Sequence, residues 1–178
     1  VEFASGVANP VGLKCGPSLG PDELLRLIDR LDPDYRPGRL VLIGRFGAAK
    51  VRDHLPALMR ATRREGRNVI WSIDPMHGNT RSLGGFKTRL VTDMLTKLSP
   101  FFEIAPAEGA HPGGVHLEMT GADVTECLGG SLPLSEEDLP RRYLTLCDPR
   151  LNRRQALDVA AAVARLIGRR SLITSDAA

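Results

Sequence analysis

The chain has 178 residues, of which 42% are hydrophobic, and this length supports one globular core more readily than two domains. Its formal net charge of +3 is small, and the basic residues are scattered instead of forming a stripe with interleaved aromatics. The composition therefore argues against a nucleic-acid-binding surface. Small anionic molecules are the expected partners.

The cysteine content and the hydropathy of the sequence indicate in which cellular compartment the protein is expected. Cys15, Cys127 and Cys147 form no CxxC pair and no even set, which favours a reducing environment over a disulfide scaffold. No apolar run approaches the ~20 residues that cross a bilayer, and the N-terminus lacks a basic segment followed by an apolar one. The sequence therefore predicts a cytoplasmic protein with no membrane partner.

Short apolar runs rich in Val, Ile and Leu alternate with segments of helical period, which is typical of strand–helix units around a parallel sheet. The first predicted strand is 11–15, and its helix begins near Pro21, a residue favoured at the first helical position. The second strand is 40–44. Its helix is expected from about Ala48, and Pro56 within that pattern indicates a kink or a late start.

The third predicted strand is 68–73, and its helix is expected from near Phe86 to about Leu98. The fourth strand is 114–119. A long loop, 120–152, separates this strand from the last helix. The sequence thus predicts four consecutive strand–helix units.

The last helix and the tail complete a single predicted domain, 1–178. The polar segment 169–178 is expected to be a flexible tail. The helix residues expected to face inward are Leu157, Ala160, Val163, Leu166 and Ile167.

A polar or charged residue lies at or near the C-terminal end of each predicted strand. The successive residues Lys14, Arg45, His77 and Glu118 are 31, 32 and 41 residues apart, and Asp74 precedes His77. These separations are close to the ~30 residues of one strand–helix unit. In a parallel barrel the C-terminal strand ends converge on one face, where the active sites of that fold are built.

Each of these residues has a plainer interpretation when it is taken alone. A lone Lys or Arg at a strand end is more often solvated or salt-bridged than catalytic. His116 shares a strand face with Glu118 or packs in the core, and His54 and His111 are expected at the surface. Recurrence at equivalent places in successive units favours a functional site.

The residue types limit the chemistry of such a site. Lys and Arg offer a point charge and a planar fork for phosphate or carboxylate. His, Glu and Asp suit Mn, Fe, Co or Zn, and an open position on such an ion polarises a carbonyl oxygen. Together these groups suggest carbon–carbon chemistry on phosphorylated substrates.

Six ordered strings resemble the signature segments of class II 3-deoxy-D-arabino-heptulosonate 7-phosphate (DAHP) synthases, and together they cover nearly the whole chain. The strings are NPVGLKCGPS at 9–18, WSIDPMHGNT at 71–80, KTR at 87–89, PGGVHLEMTG at 112–121, VTECLGG at 124–130, and RY at 142–143 followed by CDPRLN at 147–152.

The resemblance implies an α/β fold, a (β/α)8 barrel of the TIM type. The implied reaction condenses phosphoenolpyruvate with erythrose 4-phosphate, the first step of the shikimate pathway towards chorismate and the aromatic amino acids. The implied cofactor is a divalent metal, commonly Mn or Co, with Fe and Zn also open. Three of its ligands would be His77, Glu118 and Asp148 of this chain, and the fourth ligand in the family is a cysteine.

The resemblance also assigns substrate contacts. Lys14 and Arg45 would bind the phosphate and carboxylate of phosphoenolpyruvate, and Lys87 would be a supporting substrate-binding residue. Lys14 and His77 are the candidate catalytic residues. Carbon 3 of phosphoenolpyruvate would attack the aldehyde of erythrose 4-phosphate, and water would then add at carbon 2 before phosphate leaves.

The sequence departs from the family in length. Family members are considerably longer, and the chain is expected to be their C-terminal half with barrel strands 5 to 8. Neither Cys127 nor Cys147 matches the metal cysteine of the family, and a structural role for Cys147 is favoured over ligation. A half barrel would leave strand edges open, so a homo-oligomer or a complementary N-terminal half is expected.

Two other functions stay open. The chain could be a non-catalytic remnant or subunit that binds a metabolite or a partner protein. It could also be another metal-dependent aldolase on the same scaffold, although the presence of Lys14 and Arg45 favours a phosphoenolpyruvate enzyme.

Overall fold

A computed structural model describes residues 1–47 and 50–175, with the backbone alone for 169–175. The chain divides into two compact units, Val1–Asp74 with Pro100–His116, and Pro75–Ser99 with Leu117–Ala178. The elements in chain order are α1 (Glu2–Ser5), β1 (Val11–Cys15), α2 (Pro21–Leu31), β2 (Leu40–Gly44), α3 (Val51–Arg64), β3 (Val69–Ile73), β4 (Arg81–Leu83), β5 (Phe86–Thr88), α4 (Val91–Ala107), β6 (Pro112–Val115), a 3-10 helix (Glu136–Arg141) and α5 (Arg153–Ser175).

The first unit is built on a four-stranded parallel sheet in the order β1-β2-β3-β6. Val11 pairs with Leu40, and Leu40 pairs with Val69, so the first three strands are parallel and begin at the same level of the sheet. Their C-terminal ends therefore lie side by side at one edge of the sheet. The predicted α/β class with a parallel sheet is confirmed, and the first two strands have the predicted bounds.

The fourth strand differs from its prediction of 114–119. It is Pro112–Val115, and its ladder with β3 is irregular between Trp71 and Ser72. After Val115, the backbone N–H of His116 makes the last bond to this sheet, at 2.8 Å to the Ile73 oxygen. The strand is short because its partner β3 ends at Ile73.

The helices of the first unit pack through apolar stripes of helical period. α2 begins at Pro21, as predicted, and buries Leu24, Ile28 and Leu31. α3 begins at Val51, and the start predicted at Ala48 lies outside the described residues. Pro56 lies inside this helix.

The second unit contains a hairpin, and its second strand lies where the sequence predicts the start of a helix near Phe86. Strands β4 and β5 pair antiparallel around Gly84 and Gly85, whose φ values are +53° and +83°. Two central residues with positive φ form the turn type that fits the twist of a two-stranded hairpin, and glycine adopts it without a Cβ clash. The following helix therefore begins only at Val91 and runs to Ala107.

The orientation predicted for the last helix is also wrong in part. Leu157 is 64% exposed and Ile167 is 50% exposed, whereas Gln155 and Val159 are fully buried. Ala160 is exposed, and Val163 and Leu166 are partly exposed. The helix is Ala-rich and offers apolar residues on more than one face, so periodicity alone did not identify the packed face.

Two further observations concern the predicted loop and membrane association. The loop 120–152 contains the 3-10 helix and an isolated parallel bridge between Met119 and Leu151. Within the described part of the chain, every helix is too short or too polar to cross a bilayer.

Candidate metal centre

Three predicted ligands come together in the second unit. His77 Nε2 lies 3.5 Å from Glu118 Oε1 and 3.7 Å from Asp148 Oδ2. One ligand atom from each residue lies within 4.8 Å of the others. The side chains are 11%, 30% and 31% exposed in that order, so the cluster is reachable from solvent.

The donor set and spacing fit a divalent ion. Metal–ligand bonds of ~2.1 Å place neighbouring ligand atoms about 3.0 to 3.4 Å apart. The distances from His77 Nε2 to the two carboxylates are 3.5 and 3.7 Å, a few tenths of an ångström above this range, and all three ligand atoms lie within 4.8 Å of one another. One imidazole nitrogen and two carboxylate oxygens are acceptable to Mn, Fe, Co and Zn.

Backbone contacts bring the carboxylate ligands together. The Leu151 N–H donates to the Glu118 oxygen at 3.0 Å, and the Thr120 N–H donates to the Leu151 oxygen at 2.9 Å. This short parallel bridge places the segment around Asp148 beside Glu118. Next to His77, the buried Met76 sulfur accepts the Glu118 N–H at 3.0 Å.

A fourth residue, Arg89, belongs to the centre although sequence reasoning gave it no role. Its fully buried guanidinium donates from Nη1 to Glu118 Oε2 at 2.6 Å and to the Pro149 oxygen at 2.8 Å. Nε donates to Thr80 Oγ1 at 3.2 Å. Arg89 thus holds one oxygen of Glu118 and leaves the other facing His77. The available signal was the KTR string at 87–89, which contains Arg89 and resembles a family segment.

The guanidinium is not fully satisfied by the described residues. Arg89 Nη2 is buried without a hydrogen bond there, and it lies 3.7 Å from Asp148 Oδ2. Arg89 therefore faces two candidate ligands and reduces the repulsion between their carboxylates.

Lys87 lies at the edge of this cluster. Its Nζ is 3.9 Å from Asp148 Oδ1, and its side chain is 60% exposed. The Tyr143 hydroxyl donates to the Lys87 backbone oxygen at 2.8 Å, and the Tyr143 ring packs on Phe86 at 4.9 Å. Burial, with nearby negative charge, raises the pKa of Tyr143, so this hydroxyl stays a donor at neutral pH. Lys87 is thus an exposed cation beside Asp148, and its backbone oxygen is bound by Tyr143.

A second buried ion pair holds the segment that carries Asp148. The fully buried Glu126 carboxylate accepts the Arg150 side chain at 2.7 and 3.0 Å and the Arg150 N–H at 2.8 Å. Burial alone would raise the pKa of Glu126, but the donors of Arg150 outweigh burial and lower it. Glu126 is therefore an anion at neutral pH.

The two cations predicted to bind phosphoenolpyruvate lie in the first unit, at the C-terminal edge of its sheet. Lys14 Nζ is 3.6 Å from Oδ2 of the fully buried Asp74. The backbone N–H of Arg45 donates to the Cys15 oxygen at 2.8 Å, so Arg45 directly follows the end of β2 beside β1. The structure thus brings these predicted residues to neighbouring strand ends.

Among the described residues, the other histidines and the cysteines lie outside the three-ligand group. His54 is partly buried and stacks on Phe46 with ring centroids 5.8 Å apart, so its predicted surface position is only partly correct. His111 is exposed, and His116 is partly buried. Among the described residues, the three-ligand group contains no cysteine, although Cys147 is exposed next to Asp148.

Known proteins of one family are similar to this chain in sequence. The model of the class-II DAHP synthetase family matches residues 1–164. A phospho-2-dehydro-3-deoxyheptonate aldolase of Streptomyces coelicolor is 51% identical over 167 residues, which are 93% of this chain and 37% of that protein. The corresponding Mycolicibacterium smegmatis protein is 48% identical over 168 residues, 94% of this chain and 36% of its own length.

The chain therefore spans a little over one third of the length of these relatives. Its assignment to their C-terminal half, with strands 5 to 8, is not confirmed by these matches. Since the family model covers most of the chain, the chain belongs to the class-II DAHP synthetase family.

Proposed function

We propose that this chain supplies the metal ligands and part of the substrate site of a DAHP synthase. The proposed reaction is the condensation of phosphoenolpyruvate with erythrose 4-phosphate, or with a related sugar phosphate in secondary metabolism. The observation that carries this proposal is the convergence of His77, Glu118 and Asp148 around one point, with buried Arg89 behind them. The names of two relatives, both about half identical to this chain, support it.

In this proposal His77, Glu118 and Asp148 hold a divalent metal, with Mn or Co preferred and Fe or Zn acceptable. When bound, the metal supplies a Lewis acid for an aldehyde oxygen. Arg89 orients Glu118, because it occupies one carboxylate oxygen and leaves the other for coordination. Lys87, exposed beside Asp148, offers a positive charge to a phosphorylated substrate.

Lys14 and Arg45 are proposed to bind phosphoenolpyruvate. A lysine ammonium is a compact charge for a phosphate, and a guanidinium fork matches a carboxylate or phosphate in two parallel hydrogen bonds. Lys14 is held by the buried Asp74, so its direction is partly fixed before substrate arrives. Lys14 and His77 remain the proposed catalytic residues.

The proposed architecture is a (β/α)8 barrel in the cytoplasm, with this chain as one domain supplying four of the eight units. The four parallel strands in sequential spatial order support it, because successive strands of a barrel are neighbours. The proposed partner is a second copy, or a chain that supplies the other units, because β1 and β6 each have a single neighbour in the described sheet.

A condensation assay tests this function. Loss of phosphoenolpyruvate with erythrose 4-phosphate and Mn²⁺ is followed for the chain alone and for the chain mixed with the remaining segment of the Streptomyces coelicolor relative. Turnover is expected for the chain alone or for the mixture. Arg45→Lys should raise KM for phosphoenolpyruvate with a smaller change in kcat, because the bidentate fork is lost. Arg64→Lys, on the exposed α3 surface, is the matched control.

Two outcomes contradict the proposal. A His77→Ala protein that keeps its metal and its rate would show that the metal ligands are wrongly assigned. Metal binding without turnover, both for the chain alone and for the mixture, would instead favour the non-catalytic subunit.

A further inference from the structure

Glu126 is a fully buried carboxylate that the proposed reaction does not use. We propose that Glu126 is a positioning residue, which sets Asp148 for metal binding by clamping both ends of the segment 144–150. This inference rests on the proposed metal site.

The clamp is formed by the two oxygens of one carboxylate. Oε1 accepts the Leu144 N–H at 3.2 Å and Arg150 Nη2 at 2.7 Å. Oε2 accepts the Arg150 N–H at 2.8 Å and Arg150 Nε at 3.0 Å. Glu126 thus binds backbone N–H groups at both ends of the segment, and the Arg150 side chain folds back to neutralise its charge.

Asp148 lies inside this clamped segment and is fixed through its backbone. Thr145 Oγ1 donates to the Asp148 oxygen at 2.9 Å, and the Cys147 N–H donates to Thr145 Oγ1 at 3.2 Å. The ion pairs of the Asp148 carboxylate with His77, Arg89 and Lys87 are 3.7 to 3.9 Å long, beyond hydrogen-bond distance. The position of the Asp148 carboxylate therefore depends mainly on the backbone of the segment 144–150.

The hydrogen bonds of the clamp require a carboxylate at position 126. Four N–H groups point at two oxygens, and both the burial and the fork geometry match a carboxylate. A glutamine has nearly the same volume, but it presents one oxygen and one NH₂ group, so at least one pair of donors would face another donor. Glu126→Gln should therefore loosen the segment without creating a cavity.

Manganese affinity tests the inference. Free Mn²⁺ is measured by electron paramagnetic resonance during titration of the full chain, at a temperature where circular dichroism shows each variant folded. Glu126→Gln is expected to weaken Mn²⁺ binding about 10- to 100-fold, the usual effect of removing a group that orients a ligand. Arg150→Gln should weaken binding similarly. The control Asp138→Asn removes another carboxylate of the same unit, which binds Ser135 and Arg141 instead, and should leave the affinity unchanged.

A double-mutant cycle separates positioning of Asp148 from a general loss of stability. If Glu126 acts through Asp148, Glu126→Gln should change the affinity less than about 2-fold in an Asp148→Asn background, because coupled residues are not additive. An equal loss in both backgrounds would overturn the inference, as would an unchanged affinity in Glu126→Gln.

A wrong assignment of the metal ligands would give a different result from a wrong role for Glu126. If Asp148→Asn alone leaves Mn²⁺ binding unchanged, Asp148 is not a ligand, and both proposals fall. If Glu126→Gln does not fold, Arg150→Lys still tests the clamp, since lysine keeps the charge and loses the fork. An Arg150→Lys protein with unchanged affinity and unchanged exchange of the 144–150 amides would then overturn the inference.

Discussion

Arg89 donates to Glu118 at 2.6 Å from a fully buried side chain, and the same guanidinium lies 3.7 Å from Asp148. One cation thus faces two of the three candidate metal ligands. Without a positive charge at this point, two carboxylates would stand close together in a partly buried site.

Arg89→Met should therefore lower the free energy of unfolding by about 3 kcal/mol. This value lies at the lower end of the range for removing one partner of a buried ion pair, because Glu118 is partly exposed. Urea unfolding measures this change. Mn²⁺ should recover part of the lost stability, because it supplies positive charge to the same carboxylates and binds the native state. The matched control is Arg81→Met, which breaks an exposed pair with Asp93 and should cost less than about 1 kcal/mol. Equal effects of the two substitutions would contradict the role of Arg89.

The buried pair of Glu126 and Arg150 should make stability depend on pH in the acid range. The pKa of Glu126 is lowered from its ordinary value of 4.5, so the unfolded chain takes up a proton first as pH falls. The stabilisation is fully present above about pH 4.5 and is lost as the pH falls through the folded-state pKa.

The measurement is urea unfolding of the original chain and of Glu126→Gln between pH 7 and pH 3. The difference in unfolding free energy should be largest near neutral pH and should shrink below about pH 4.5. A difference that stays constant over this range would show that the charge of Glu126 does not contribute.

The three cysteines should differ strongly in reactivity. Burial raises the pKa of Cys15 and of Cys127 to about 12, whereas Cys147 is exposed. Since the thiolate is the reactive form, a disulfide reagent at pH 8 should modify one thiol quickly and two only after unfolding. Cys147→Ser should remove the fast phase and leave the slow one. Two fast thiols in the native chain would contradict the burial described for Cys15 and Cys127.

Local sequence patterns predicted much of the first unit. Strands 11–15 and 40–44 and the helix start at Pro21 have the predicted bounds, because continuous apolar runs and a proline at the first helical turn depend on short-range effects. The fourth strand was predicted too long because its end depends on where β3 ends, which is a tertiary property.

The candidate site was predicted less completely. The spacing of strand ends and the family strings both predict His77 and Glu118, whereas Asp148 is predicted from a family string alone. The structure brings the three together. Arg89 was missed because its partners lie 29 and 59 residues further along the chain, at Glu118 and Asp148. The sequence predicts a helix over the second strand of the preceding hairpin, because two three-residue strands are too short to show a clear two-residue period.

The metal centre is tested most directly by Mn²⁺ titration of the purified chain, with the bound ion counted by isothermal calorimetry and its environment observed by electron paramagnetic resonance. One tight site per chain is expected, and it should be lost in both His77→Ala and Glu118→Gln. The site should be retained in His111→Ala, which removes an exposed histidine of the other unit. A chain that binds no Mn²⁺ or Co²⁺, or whose site survives His77→Ala and Glu118→Gln, would contradict the central claim that these residues form a metal centre.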